Sequence, residues 1–377
     1  LSNPEFGIAD AINKAMAKAM QKGARVYLAA ALFPFGTMIA VAAIAGKSAM
    51  EIGLEPIAFA PASSKEAVKL LSTTKGKAHI LAGGTDLLVR MKGGFAEPDA
   101  IIDIKRIAPM CKISKAGKGW RIGAAVSASQ MDEDTALKAA WPGVVEAAAL
   151  IGSTQVQGRA TIAGNLCNAS PAADSVPAIA AAGAKAIIIG PKGKRKVAVE
   201  KLLKGPGKTG LKKGEIVEAI ELPEKKKRTG DAYLRFIPRT EMDIAVVGVG
   251  ICLTLDAGGK CTSARVALGA VAPTVIVSSK AAKALVGTTV DDAALDTLAK
   301  ACSAEAKPIT DKRGTKEFRT HIAGVLARRA AMMARDRAKE NKLCFRFMFK
   351  HGSTAMTWSS HVRPTRLCST CCVTGLH

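Results

Sequence analysis

Short apolar runs separated by glycine turns follow one another through residues 50–340, and their order predicts the fold. Near the start of this region, Ser63 and Glu66 have the spacing of a capping box and predict the beginning of a helix. A buried strand at 79–82, a glycine pair and a second helix come next, and a further strand is predicted at 100–104. The order strand, glycine turn, helix, strand is typical of an α/β unit.

The pattern continues with alternating strands and helices. The further predicted strands lie at 120–123, 160–165, 186–189, 196–199 and 215–222, and the predicted helices lie at 141–151 and 176–182. The strand at 160–165 is expected to lead into a glycine turn, and the charged run at 224–230 is the best linker candidate. After it, extended segments at 244–255 and 263–271 precede helical patterns at 291–306 and 316–335. This last group predicts a small α+β domain of antiparallel strands and helices.

Residues 1–49 differ in pattern from this region. Basic residues up to Arg25 precede an alanine-rich apolar run at 27–46. The arrangement is compatible with a signal peptide, with a membrane anchor, or with a segment upstream of a natural start at Met50. We favour the third interpretation and treat these residues as a non-core extension.

Residues 341–377 also change in character, with four of the nine cysteines, three of the five histidines and no sustained helix or strand period. Cys368 and Cys371 form a C-x-x-C pair, but the sequence lacks a second pair at metal-ligand spacing. We interpret the segment as a non-core tail, with a metal site as the minority alternative.

The composition is that of a globular protein of two or three domains. The 377 residues are 49% apolar with 35 glycines and 4% aromatics, so the core must consist of small aliphatic side chains in closely packed layers. Up to Cys302 the cysteines occur singly, which indicates reduced thiols and a cytoplasmic location.

The net charge of +24 creates an attractive field for anions such as nucleic acid, membrane lipid or an acidic partner. Lysines are densest at 192–228, where no aromatic side chains are interleaved for base stacking. A solvated basic surface is therefore the favoured interpretation. A non-enzymatic protein that binds nucleic acid or membrane surfaces is kept as the alternative function.

Two glycine segments carry the candidate chemistry, LAGGTD at 81–86 and TIAGNL at 161–166. Each is predicted to place glycine just after a strand, where successive backbone N–H groups can converge on an anion. Thr85, Thr161 and Asn165 add short side-chain donors, and the helix after the first loop favours phosphate. Neither segment is a G-x-G-x-x-G or P-loop motif, so each alone is a weak signal.

An ordered set of segments strengthens this signal. The segments AGGTDLLVRMK, IIDIKRI, RIGAAV, TIAGNLCNASPAADSVPA, EIVEAIELP, TEMDIAVVGVGICLTLD and ARVALGAVAPT resemble, in the same order, the FAD-binding subunit of carbon monoxide dehydrogenase- and xanthine dehydrogenase-type molybdenum hydroxylases. The resemblance covers about residues 50–335. A stand-alone flavoprotein such as a cell-wall precursor reductase is disfavoured by the two C-terminal segments.

The resemblance implies an α+β chain with a two-subdomain FAD-binding fold of the vanillyl-alcohol oxidase-like type. A small C-terminal domain of antiparallel strands and helices would follow it. The implied FAD-binding domain covers 50–227, with subdomains at about 50–105 and 106–227, and the C-terminal domain covers 228–340.

The resemblance also implies the residues that hold FAD. Those in or beside the two phosphate loops would be Ala82, Gly83, Gly84, Thr85, Asp86, Leu87, Thr161, Gly164, Asn165 and Asn168. Asp174 falls where the family bonds a flavin-chain hydroxyl, and Val217 falls where it packs an aliphatic side chain near the flavin. No catalytic residue and no metal ligand is predicted.

Two positions depart from the family pattern. Ala163 stands where many relatives have glycine, which is a small change. Arg235 stands near the flavin where relatives often have lysine, so the charge is kept while the geometry of the side chain changes.

In such enzymes a large subunit holds the molybdenum cofactor, a small subunit carries two [2Fe-2S] clusters, and the medium subunit carries FAD. This chain resembles the medium subunit, which implies that it passes electrons from the clusters through FAD to an acceptor such as quinone or NAD. The expected partners are therefore the two other subunits, and no nucleic acid is expected. Residues 50–340 offer neither a cysteine set for a cluster nor an evident acid, base and nucleophile, which fits a relay.

Overall fold

The computed structural model describes residues 25–33, 36–44, 56–239 and 242–350, with side chains described for 56–239 and 242–340. The strands are β1 (Arg25–Phe33), β2 (Gly36–Ile44), β3 (Ile57–Phe59), β4 (Ala78–Leu81), β5 (Ala100–Asp103), β6 (Ile113–Ala116), β7 (Gly119–Gly123), β8 (Lys185–Gly190), β9 (Gly193–Ala198), β10 (Leu203–Gly205), β11 (Lys208–Thr209), β12 (Ile216–Leu222), β13 (Thr229–Phe236), β14 (Val247–Leu255), β15 (Cys261–Gly269) and β16 (Ile276–Ser278). The α-helices are α1 (Ser64–Thr73), α2 (Leu87–Lys92), α3 (Ala128–Glu133), α4 (Thr135–Ala140), α5 (Pro142–Ala149), α6 (Thr154–Gln157), α7 (Ile162–Asn168), α8 (Ser175–Ala181), α9 (Val199–Leu202), α10 (Ser279–Leu285), α11 (Asp292–Glu305) and α12 (Lys316–Lys350).

The first layer is a three-stranded parallel sheet in the order β3–β5–β4. Helix α1 leads from β3 to β4, and α2 leads from β4 to β5, as parallel pairing requires. The hydroxyl of Ser63 accepts the backbone N–H of Glu66 at 3.2 Å, which confirms the predicted start of α1. This layer places the end of β4 and the start of α2 at one edge of the sheet.

The second layer is a five-stranded antiparallel sheet in the order β6–β7–β12–β8–β9, with β12 at its centre. Its core is continuous with that of the first sheet. Ile102 of β5, Ile122 of β7, Ile188 of β8 and Ile220 of β12 are all fully buried in one cluster. Each such side chain contributes about 1.5–3 kcal/mol relative to an exposed one. The core is thus aliphatic, as the scarcity of aromatic residues predicted.

A four-stranded antiparallel sheet, β13–β14–β15–β16, forms the third layer with α10, α11 and α12. It has its own apolar cluster, which includes Val249, Leu268, Leu298 and Ala327. The antiparallel strands followed by helices confirm the predicted arrangement. Strand β13 was not predicted, because its first residues lie at the charged run 224–230 and its pattern there is polar.

The strand predicted at 160–165 is wrong. Helix α7 occupies this segment, with Thr161 as its N-cap and Ile162 and Leu166 on its buried side. A short apolar run has the same appearance in a buried strand and a buried helix, so the pattern alone does not separate the two. The remaining predicted elements between 63 and 306 are observed with ends shifted by a few residues.

Both ends of the chain include regular elements. The antiparallel pair β1 and β2 covers most of the apolar run at 27–46, with Ala29 opposite Ala40. Among the helices of the described part of the chain, none is both long and apolar enough to cross a membrane. Helix α12 continues to Lys350 and therefore includes residues 341–350 of the predicted tail. The C-x-x-C pair lies outside the described residues.

Candidate cofactor site

A cavity of about 430 Å³ is bordered by the end of β4, the loop after it, α7 and the start of β12. The predicted site residues that border it are Ala82, Gly83, Gly84, Thr85, Asp86, Leu87, Thr161, Gly164, Asn165, Asn168 and Val217. The two glycine segments, nearly eighty positions apart in sequence, therefore meet at one cavity. Asp174 and Arg235 are not among the residues that border it.

The first loop depends on its two glycines. Gly84 has a φ angle of +83°, in the left-handed region where a side chain is strained. A Cβ at this position would also lie 2.9 Å from the side chain of Leu81. A Cβ at Gly83 would overlap the carbonyl oxygen of Arg159, just before the second segment. The first loop is thus pressed directly against the backbone of the second.

The second segment presents the first turn of helix α7 to the cavity. The side chain of Thr161 accepts the backbone N–H of Gly164 at 2.9 Å, and the carbonyl of Thr161 accepts that of Asn165. Within the described residues, the N–H groups of Ile162 and Ala163 have no hydrogen-bond partner. Because Ala163 is helical, this position does not require glycine, and the departure from the family pattern has no conformational cost.

Asn165 ties this helix to the next one. Its side-chain oxygen accepts the backbone N–H of Ser175 at 3.2 Å and the hydroxyl of Ser175 at 2.7 Å. These bonds fix the orientation of the amide and leave its NH₂ group for a ligand, since an amide has separate donor and acceptor ends. The cavity wall is therefore rigidly supported where the second segment borders it.

The opposite wall comes from the lysine-rich stretch, which the sequence interpretation treated as a solvated surface. Thr209, Leu211, Glu215 and the buried Val217 border the cavity. The hydrogen bonds from Arg195 lower the pKa of Glu215 to about 2, so this carboxylate remains ionised and paired. Basic side chains of the stretch face solvent while its apolar residues complete the site.

Several bordering residues were missed by the sequence reasoning. They include His79, Arg90, Ile151, Thr209 and Leu211. His79 lies in the strand that leads into the first loop, and this position is the signal that could have identified it. Burial lowers the pKa of His79, and the charges of Arg90 and Lys77 lower it further, so the imidazole is neutral at neutral pH.

Asp174 and Arg235 form a buried ion pair outside the cavity lining. The guanidinium of Arg235 donates to Asp174 Oδ2 at 2.7 Å, and the hydroxyl of Tyr233 donates to Oδ1 at 3.1 Å. Burial raises the pKa of Asp174 to about 6, against the opposing effects of Arg235 and Tyr233. Each carboxylate oxygen retains a second acceptor position for a further donor.

The groups around the cavity are suited to binding rather than to proton transfer. Burial raises the pKa of the Cys167 thiol to about 12, so it stays protonated and unreactive. Burial also raises the pKa of Asp86, an effect that Arg90 opposes. Within the described residues, no group of three or more histidine, cysteine and acidic side chains is placed to hold a metal ion.

A three-layer α+β fold with two glycine segments at one cavity is the arrangement expected of a protein that binds a dinucleotide cofactor. Residues 51–225 match the model of the FAD binding domain in molybdopterin dehydrogenase, and residues 232–334 match that of the carbon monoxide dehydrogenase flavoprotein C-terminal domain. The chain belongs to the family of FAD-binding medium subunits of carbon monoxide dehydrogenase- and xanthine dehydrogenase-type molybdenum hydroxylases.

The similarity extends over nearly the whole length of the relatives. The carbon monoxide dehydrogenase medium chain of Afipia carboxidovorans is 35% identical over 74% of this chain and 96% of its own. The xanthine dehydrogenase FAD-binding subunit of Escherichia coli is 31% identical over 71% and 92%. Among solved structures, the reconstituted carbon monoxide dehydrogenase of Oligotropha carboxidovorans superposes with a TM-score of 0.72 at 34% identity, covering 75% of this chain and 98% of that one.

The residues present at the site fit FAD. The absence of side chains at Gly83 and Gly84 lets the first loop lie against the backbone at Arg159, so that both glycine segments reach the same cavity. The unpartnered N–H groups of Ile162 and Ala163 are donors of the kind that an anion requires. Val217 and Ile151 supply apolar surface for a ring.

Proposed function

We propose that this chain relays electrons from the iron–sulfur clusters of a partner subunit, through FAD, to an external acceptor. The observation that carries the proposal is the junction of two glycine segments at one cavity, with Gly83 in backbone contact with Arg159. The relatives are medium chains and FAD subunits of dehydrogenases, which supports the same role here.

The residues predicted from the family pattern are proposed as the FAD site. Bound FAD would supply the redox chemistry, and the protein would bind and orient it. The loop residues from Ala82 to Leu87, together with Thr161, Gly164 and Asn165, would hold the pyrophosphate, and Asn168 would contact the cofactor further along. Val217 would pack near the flavin.

Asp174 is proposed to accept a hydrogen bond from a flavin-chain hydroxyl, using the acceptor positions that Tyr233 and Arg235 leave open. Because Arg235 is buried and paired, its proposed role is to hold this carboxylate ionised beside the cofactor. A lysine at this position has a single point charge and would hold the carboxylate with different geometry.

The proposed partners are a small iron–sulfur subunit and a large molybdenum-cofactor subunit, because the relatives are named as one chain of a larger enzyme. Quinone or NAD is proposed as the acceptor. The proposed domains are a FAD-binding unit at 50–227 and a C-terminal unit at 228–340. The free cysteines of the described residues support a cytoplasmic location.

The alternative of a basic protein that binds nucleic acid or membrane surfaces gains no support. The relatives reported above are oxidoreductase subunits, and they match across the region that carries the cavity. A positive net charge constrains association but does not specify a fold or a site.

Valine substitutions at two glycines, one in the loop and one outside it as control, test the proposed site. Gly84 and Gly94 both have left-handed φ angles, +83° and +71°, but a Cβ at Gly94 would meet nothing within 4 Å. Substituting valine strains the backbone at both positions, by about 1–2 kcal/mol. We expect Gly84→Val to weaken FAD binding, measured by flavin fluorescence titration, by more than about tenfold. Gly94→Val should bind as the unmodified protein does, and equal affinities of the two variants would contradict the site.

A further inference from the structure

The first phosphate loop also borders a second cavity. This cavity shares Gly83, Gly84 and Thr85 with the first one and is bordered in addition by Lys105 and Arg159. Lys105 does not border the first cavity. The loop therefore borders both cavities, whereas the side chain of Lys105 borders only the second.

The ammonium group of Lys105 is directed at this wall. It donates to the carbonyl oxygen of Ala82 at 3.1 Å and lies 2.8 Å from Asp103 Oδ1. The same carboxylate oxygen accepts the backbone N–H of Lys105 at 2.9 Å, and Asp103 stands opposite Leu81 in the β4–β5 register. The lysine is therefore held at both its backbone and its charged end.

The bond to Ala82 determines which way the next N–H group points. In a trans peptide the C=O and N–H bonds are directed to opposite sides. No described peptide bond is cis, so the N–H of Gly83 points away from Lys105. Gly83 borders the first cavity and Lys105 does not, so an anion in the first cavity could accept this hydrogen bond without contacting the lysine.

Without such an anchor the orientation would be poorly determined. Rotating the Ala82–Gly83 peptide changes ψ of Ala82 and φ of Gly83, and glycine tolerates either sign of φ. A positive charge beside the carbonyl selects one orientation and also polarises the N–H toward its acceptor.

We propose that Lys105 is a positioning residue for FAD, which holds the Ala82 carbonyl so that the N–H of Gly83 faces the cofactor pyrophosphate. The proposal rests on the proposed function, because it assumes that FAD occupies the first cavity. Lys105 itself contacts the loop from behind and does not touch the cofactor.

The test compares Lys105→Met, Lys105→Arg and, as control, Lys112→Met at an exposed lysine nearby. Apoprotein of each is titrated with FAD, and the phosphorus NMR spectrum of the bound cofactor is recorded. We expect Lys105→Met to weaken binding by about tenfold, the size of one charge-assisted hydrogen bond, and to shift the pyrophosphate resonances. Lys105→Arg should restore both, and Lys112→Met should change neither.

Each other result has a definite meaning. If the unmodified protein binds FAD and Lys105→Met matches it in affinity and phosphorus spectrum, the positioning role is wrong. If arginine fails to restore binding, the lysine acts through the fold in general and the proposal is again wrong. If the unmodified protein binds no FAD, the proposed function fails as well.

A second variant covers the case in which Lys105→Met does not fold. Asp103→Asn leaves the lysine in place and removes the charge that anchors its ammonium group. We expect a smaller loss of FAD affinity than for Lys105→Met, with a shift of the pyrophosphate resonances in the same direction. An unchanged spectrum and affinity would overturn the proposal.

Discussion

At the scale of single residues, the buried pair of Asp174 and Arg235 connects two predicted positions that are sixty-one apart in sequence. The family pattern indicated both as cofactor-binding residues, yet nothing in the sequence indicated that they bond to each other. That information depends on how β13 lies beside the start of α8, which local patterns do not contain. Tyr233, the third member of the cluster, was not among the predicted residues, because neither a local pattern nor the resemblance indicated it.

The raised pKa of Asp174 predicts that the stability of the cofactor-free protein depends on pH. Its pKa is raised from 3.8 to about 6, so between these values the folded state binds more protons than the unfolded state. Its contribution to the free energy of unfolding must then fall as pH rises through this window, by at most about 3 kcal/mol.

Urea denaturation of the apoprotein from pH 4 to pH 7 measures this effect. Asp174→Asn removes the titration, so the stability of the unmodified protein relative to the variant should decrease with rising pH and level off above about 6. A constant difference between the two proteins across this range would show that the carboxylate titrates normally.

At the scale of elements, the two glycine segments were predicted with unequal success. The first follows β4 and precedes α2, as the strand–glycine–helix pattern indicated. The second is the first turn of α7, where Thr161 has the side-chain acceptor of an N-cap. The candidate residues of both segments nevertheless border one cavity, because the resemblance identified positions without depending on their secondary structure.

Variants of helix N-caps allow the effect of helix stability on cofactor binding to be measured, and the N-cap of α7 is the one that borders the cavity. Thr161→Val removes the hydroxyl that accepts the N–H of Gly164 and should lower the free energy of unfolding by about 1 kcal/mol. It should also weaken FAD binding, since Gly164 and its neighbours border the cavity.

The control for this prediction is another N-cap, Ser278 of α10, which accepts the N–H of Ala281 at 2.9 Å and does not border the cavity. Ser278→Ala should lower the free energy of unfolding by a similar amount, about 1 kcal/mol, and leave FAD affinity unchanged. If both variants lost FAD affinity equally, the effect of Thr161 would reflect stability alone.

At the scale of the whole molecule, part of the large positive charge is paired with acidic side chains. Lys194, Arg195 and Lys196 of β9 pair with Glu218, Glu215 and Glu221, in or next to β12. Composition gave the sign and size of the charge, and the run of lysines suggested a surface. Composition could not show that this surface lies behind a cavity wall, because these ion pairs reach across β8, which lies between β9 and β12 in the folded sheet.

The C-terminal unit is held to the FAD-binding unit by charge as well as by packing. Arg337 of α12 donates to the carboxylate of Glu146 in α5, and to the carbonyl of Asp231 at 2.8 Å. Lys225, in the predicted linker, pairs with Asp231 at 2.6 Å. These contacts join the two apolar cores at the linker.

Arg337→Met should loosen this junction. We expect the free energy of unfolding to fall by about 1 kcal/mol. The effect is small because the ion pair is partly exposed and solvent weakens it. Tryptic cleavage in the lysine-rich run 224–230 should become faster than in the unmodified protein. Arg328→Met is the control, since Arg328 also lies on α12 but pairs with Asp292 and Asp296 inside the C-terminal unit. Equal cleavage rates in the two variants would contradict the role of Arg337.

The central claim is tested most directly by the cofactor content of the purified full-length protein. The visible spectrum is recorded, and the released cofactor is identified by chromatography before and after incubation with FAD. The account predicts a flavin spectrum and the release of FAD, in an amount approaching one per chain. A colourless protein that also fails to take up added FAD would contradict it.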